Sequence, residues 1–84
     1  MKPVRWSKHA REEAERRGIP VGLVENVLAS PEQVASGYGN TQVYQSRKEM
    51  GNKIYLIRVI VVESKEERII VTVYRTTKVS KYWR

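Results

Sequence analysis

The sequence predicts an α+β domain, with two N-terminal helices packed on one face of a three-stranded antiparallel sheet. Two observations carry that expectation. Apolar residues recur at helical spacing up to about Ala29 and at period two from Thr41 onward. The period-two runs are also separated by short polar segments rich in turn formers, which reads as a meander. The chain has 84 residues, so a single domain spanning 1–84 is expected. Its 40% hydrophobic content is enough for one thin core and argues against disorder.

Ser7 is a good N-cap for a first helix over about 8–17, and Gly18 suits the position just past its end. Trp6, Ala10, Ala14 and Arg17 share one side at helical spacing. Glu12–Arg16 and Glu13–Arg17 are i,i+4 pairs of favourable polarity. Pro20 opens a second helix over about 20–29, where Val21, Leu23, Val24, Val27 and Leu28 make a broad apolar stripe. Ser30-Pro31 ends it, and residues 31–40, with two glycines, read as a loop. Strands follow at about 41–47, 53–62 and 68–76, and a basic, aromatic tail at 77–84. The middle strand is apolar on both faces, which suits a central position.

Five-residue loops at 48–52 and 63–67 set Arg47 opposite Lys53 and Val62 opposite Arg68. In that register Val43, Tyr55, Ile57, Val59, Val61, Ile69, Val71 and Val73 face the helices. Gln42, Arg58 and Thr72 then form one cross-strand row on the other face, and Tyr44, Leu56 and Tyr74 the next.

Composition excludes several function classes. There is no cysteine, so no disulfide scaffold, thiolate metal site or cysteine nucleophile is available. A single histidine excludes a multi-histidine metal centre. No cofactor is called for. No apolar run reaches the roughly 18 residues of a membrane helix. Residues 1–6 lack the apolar stretch of a signal peptide. A soluble, cytoplasmic protein that does not engage membranes is expected.

The net charge of +7 is unevenly placed. Residues 1–42 carry six basic and five acidic side chains, whereas residues 43–84 carry ten and four. Such an excess attracts polyanions through counterion release, or an acidic protein. Arg75, Lys78, Lys81 and Arg84 share their segment with Tyr82 and Trp83. Aromatic surfaces among cations suit single-stranded nucleic acid, and they equally suit an anchor that docks the tail on the core. Arg58, on the open sheet face, reads either as a phosphate clamp or as a snorkelling side chain over Tyr44 or Tyr74. His9 is the one side chain whose ordinary titration falls near neutrality.

The segment Lys8-His9-Ala10 and then Arg17-Gly18-Ile19, followed by a valine-rich second helix, resembles the opening of a family of small proteins. Ser30-Pro31-Glu32, the strand ending Val71-Thr72-Val73-Tyr74 and the close Lys81-Tyr82-Trp83 extend the match over nearly the whole chain. The sequence looks like domain-of-unknown-function family 4258, which is distantly similar to the RelE/ParE and BrnT toxins. The resemblance implies a microbial-RNase-like fold, an RNA-facing open sheet face and an antitoxin protein as partner. It carries over to His9, Arg17, Thr72 and Tyr74. Where the family often has an arginine four residues after the histidine, this sequence has Glu13.

Three readings stand. In a metal-independent endoribonuclease, Arg17 and Arg58 hold phosphate, His9 and Tyr74 transfer protons, and Tyr44, Thr72, Arg75, Lys78, Lys81, Tyr82 and Arg84 grip RNA. In a non-catalytic module, the same face binds nucleic acid or an acidic protein. In the third, the tail simply completes the protein's own core.

Overall fold

A computed structural model describes residues 2–84 and shows a five-stranded mixed sheet with three helices. The elements, in chain order, are β1 (Val4–Trp6), α1 (Lys8–Arg16), α2 (Val21–Ala29), β2 (Gln33–Ser36), β3 (Thr41–Met50), β4 (Lys53–Glu63), β5 (Arg68–Thr76) and α3 (Val79–Tyr82). The sheet order is β1-β5-β4-β3-β2. The three expected strands and two expected helices all form, and β4 is central. The expected three-stranded antiparallel sheet is nevertheless incorrect. β1 adds a parallel edge beside β5, β2 adds an antiparallel edge beside β3, and the tail contributes a third helix.

The sequence hides both edge strands for a physical reason. β1 has three residues and β2 four, too few for a period to show. Their pairing is imposed from outside. The Arg68 amide donates to Pro3 O and the Ser7 amide to Ile70 O, which locks β1 onto β5. β2 lies inside the segment read as a loop, where Ala35 is its one buried position.

Ser7 joins strand to helix. Its Oγ accepts the Ala10 amide at 3.0 Å, as an N-cap should, and donates to Val71 O at 3.3 Å. One hydroxyl therefore starts α1 and ties that start to β5. At the other end Gly18 has φ 65°, its amide donates to Glu15 O and the Ile19 amide donates to Ala14 O. This is a Schellman closure, and it turns Ile19 into the core. The two buried alanines of α1, Ala10 and Ala14, let the helix lie close against β5.

Both loop lengths in the expected register need correction. Lys48-Glu49-Met50 continue β3, and only Gly51-Asn52 separate Met50 from its partner Lys53. Gly51 takes φ 66° with Asn52 at negative φ, the pattern of a II′ turn with glycine first. Arg47 therefore faces Leu56, three positions along β4 from the expected Lys53. An odd shift exchanges the faces of β3. Gln45, and neither Gln42 nor Tyr44, becomes the neighbour of Arg58, while Val43 moves to the Arg58 face and Tyr44 to the helix face.

A bulge between Ile60 and Val61 splits the β4–β5 register. On one side Arg58 faces Tyr74, so the expected Arg58–Thr72 row is replaced; Thr72 faces Ile60. On the other side Val61 faces Ile70. Ile70 is thus fully buried where Ile69 and Val71 were expected to turn inward.

The main core lies between this face and the helices. Ile57, Val59, Val61, Ile70 and Val73 meet Ala10, Ala14, Ile19, Val24, Val27 and Leu28. Ala35, Val43 and Leu56 are buried outside that cluster, on the opposite face. Replacing Ser7 with alanine removes the cap and the tie to β5 together. It is expected to cost about 1–2 kcal/mol of stability, read by urea denaturation. An unchanged midpoint would show that the hydroxyl is dispensable.

Candidate functional site

The face away from α1 and α2 carries a continuous polar row across the sheet. Gln33, Gln45, Arg58 and Tyr74 are successive cross-strand partners from β2 to β5. Arg58 Nε donates to Gln45 Oε1 at 3.0 Å, and Arg58 Nη1 donates to the Tyr74 hydroxyl. Gln45 Nε2 donates to Gln33 Oε1 at 2.8 Å and to Tyr82 O at 3.2 Å. Gln33 closes the row by donating to Arg84 O at 2.8 Å and accepting the Arg84 amide at 3.1 Å. Gln45 is fully buried, and both ends of its amide are satisfied.

Helix α3 lies over this row. The Arg58 guanidinium carbon is 4.2 Å from the Tyr82 ring centre and 5.5 Å from that of Tyr74. Tyr74 and Tyr82 meet edge to face at 6.3 Å. One step along the face, Arg47 stacks on Trp83 at 4.2 Å and binds the Glu32 carboxylate, with Nη2 at 3.0 Å from Oε2. The two arginines differ in one respect. Arg47 has a carboxylate; Arg58 has none within ion-pair distance among the described residues. Burial raises the Tyr74 phenol above its ordinary value of 10.0, against the opposing pull of the Arg58 guanidinium. Tyr74 therefore keeps its proton through neutral pH.

His9 and Arg17 lie elsewhere. They share α1's Glu13, with His9 Nε2 3.8 Å and Arg17 Nε 3.5 Å from its carboxylate oxygens. Arg16 binds the same carboxylate through Nε at 2.9 Å and through Nη2. Arg16 is the main reason the Glu13 carboxyl sits below its ordinary value, with Arg17 and His9 adding to the effect. Because α1 packs on the other face, the sheet stands between this pair and Arg58–Tyr74.

The remaining expected residues divide in the same way. Thr72 lies in the row adjoining Arg58, and Lys81 and Arg84 accompany Tyr82 on α3 and just after it. Lys81 Nζ is 5.3 Å from the Tyr82 ring centre. Lys78 is exposed at the start of α3. Tyr44 faces the helices, donates to Glu63 Oε1 at 3.2 Å and lies under Arg68. Arg75 is on that side too, 4.8 Å from the Tyr55 ring centre. Gln33, Gln45 and Arg47 belong to the site without a local sequence signal that marks them. Reading Gly51-Asn52 as a two-residue turn would have placed Gln45 opposite Arg58. Among the described residues, no group of three or more His, Asp or Glu side chains is arranged to hold a metal ion, and no helix is long and apolar enough to cross a membrane.

Fold and site together define a small basic α+β protein with one face covered by helices and one end of the other closed by its own C-terminal turn. The family model described as Domain of unknown function (DUF4258) matches residues 6–75, and the chain belongs to that family. No curated protein and no solved structure matches it.

Replacing Arg58 with methionine orphans the buried Gln45 Oε1, and a loss of about 1–3 kcal/mol is expected on chemical denaturation. Unchanged stability would mean that the amide finds another partner. Glu32 provides a pH test. Hydrogen bonds from Arg47 hold its folded carboxyl below the ordinary value of 4.5. Its contribution is therefore complete at neutral pH and is lost as pH falls below 4.5 and through the lower folded value. Acidification is expected to free Arg47 and change Trp83 emission, an effect absent in Glu32→Gln.

Proposed function

We propose that this protein is a non-catalytic nucleic-acid-binding module of the cytoplasm that grips single-stranded RNA through its C-terminal segment. One observation carries the reading. From Arg68 to Arg84 the chain has five cations and no acid, and Arg75, Lys78, Lys81 and Arg84 make no ion pair among the described residues. The carboxylates that do form ion pairs, Glu12, Glu13, Glu32, Glu63 and Glu67, are engaged by cations elsewhere. Of these, Lys78, Lys81 and Arg84 lie in or beside α3 with Tyr82, and together they supply both requirements of sequence-tolerant single-strand binding, a charged track and a stacking surface.

Binding is favoured over cleavage because general acid–base work needs its groups within hydrogen-bond reach of one phosphate. His9 and Arg17 are across the sheet from Arg58 and Tyr74, and the Glu13 carboxylate that faces His9 also engages Arg16 and Arg17. An acidic protein partner would use the same cations, and the probe decides between them. Anisotropy of a labelled 12-nucleotide RNA is expected to show affinity that falls with salt. Changing Lys78, Lys81 and Arg84 together to alanine should flatten the log–log salt slope by about 2, since each single-strand phosphate contact contributes about 0.7. Affinity indifferent to salt, or a slope unchanged in the triple variant, would reject the reading.

A further inference from the structure

Arg58 is a half-buried cation whose partners are all neutral: an amide oxygen, a hydroxyl and two aromatic rings. A guanidinium partly withdrawn from water is commonly paired with an anion. Among the described residues, Glu32 supplies one to Arg47 on the same face and no carboxylate reaches Arg58. The donors around Arg58 are also fixed in place. Gln45 holds Nε, and Tyr74 holds Nη1 while keeping its own phenolic proton. The Nη2 amino group donates no hydrogen bond among the described residues. A planar guanidinium with a free amino group beside a protonated phenol is a ready receptor for a phosphate oxygen.

What covers this receptor is lightly held. Helix α3 is a single turn of four residues, none of them buried. Its ties to the sheet are glutamine hydrogen bonds to Tyr82 O and to Arg84, the stacking of Tyr82 on Arg58 and of Trp83 on Arg47, and the edge-to-face contact of Tyr82 with Tyr74. No ion pair joins α3 to the sheet among the described residues. These ties are hydrogen bonds, cation–π stacking and one aromatic edge contact, so a strand that brings phosphate and a base can replace them in kind.

We propose that the Arg58–Tyr74–Gln45 row is a masked phosphate-binding site, with the Tyr82–Trp83 turn as its resident cover. A phosphate of the bound strand takes up the Arg58 guanidinium when Tyr82 lifts away. The identity of the incoming strand rests on the nucleic-acid reading above; the phosphate site itself does not.

The test uses the full-length protein, with inorganic phosphate as probe. The Arg58 Nε–Hε resonance, identified by its absence in Arg58→Lys, is followed during titration. Tyr82→Ala uncovers Arg58 and keeps every cation, and it is expected to bind phosphate at least 10-fold more tightly than the unaltered protein. Trp83→Ala loosens the same turn without touching Arg58 and is expected to act in the same direction, so the test survives if one variant fails to fold. If the resonance stays still in whichever folded variant is obtained, or moves at the same phosphate concentration in the unaltered protein, the masked site is refuted. RNA binding without any response at Arg58 would retain the nucleic-acid reading and remove the site. A phosphate response in Tyr82→Ala with no RNA binding by any form would retain the site and remove that reading.

Discussion

The two-residue turn at Gly51-Asn52 decides the chemistry of both sheet faces. It pairs Met50 with Lys53, and every later β3–β4 pair follows from that contact. β4 is apolar at nearly every position, so its own sequence does not say which side should face the helices. The turn makes that choice for β3: Tyr44 and Met50 go toward α1 and α2, and Val43 and Gln45 go to the other side. A slip of one residue would bring Tyr44 or Ser46 opposite Arg58, depending on its direction, and leave its guanidinium without the Gln45 oxygen.

The two faces are closed by different means. On the helix side the work is done by buried apolar surface, with alanines in α1 setting a short distance to β5 and valines in α2 filling the space above β3 and β4. On the other side no long helix is available. A single-turn helix closes one end of the face, and glutamine amides and stacked arginines hold it there. Hydrophobic burial is non-directional, whereas a hydrogen-bonded row specifies orientation. The polar side is therefore the better suited to exchange one set of partners for another.

Charge follows the same division. Carboxylates anchor the strand ends and α1, through Lys2–Glu63, Arg5–Glu67 and the cluster around Glu13. Among the described residues, the basic side chains of the last segment have no such partners, so the positive potential gathers at the end of the chain that covers Arg58.

The local signals were legible. The Ser7 cap, the Gly18 stop, the apolar stripe of the second helix and the central β4 all follow from residue types at fixed spacing, because each depends on neighbours within a turn or two. The excess of cations toward the C-terminus, and the suspicion that Tyr82 and Trp83 either bind or dock, were legible too. Tertiary structure alone decided the rest. The edge strands are too short to carry a period and exist only because β5 and β3 offer them open ladders. The bulge at Ile60/Val61 leaves no mark in the sequence, yet it buries Ile70 and brings Tyr74 opposite Arg58. His9 and Arg58 look like members of one site in a linear reading. A sheet separates them because strand parity is a relation between chain segments, and no single segment contains it.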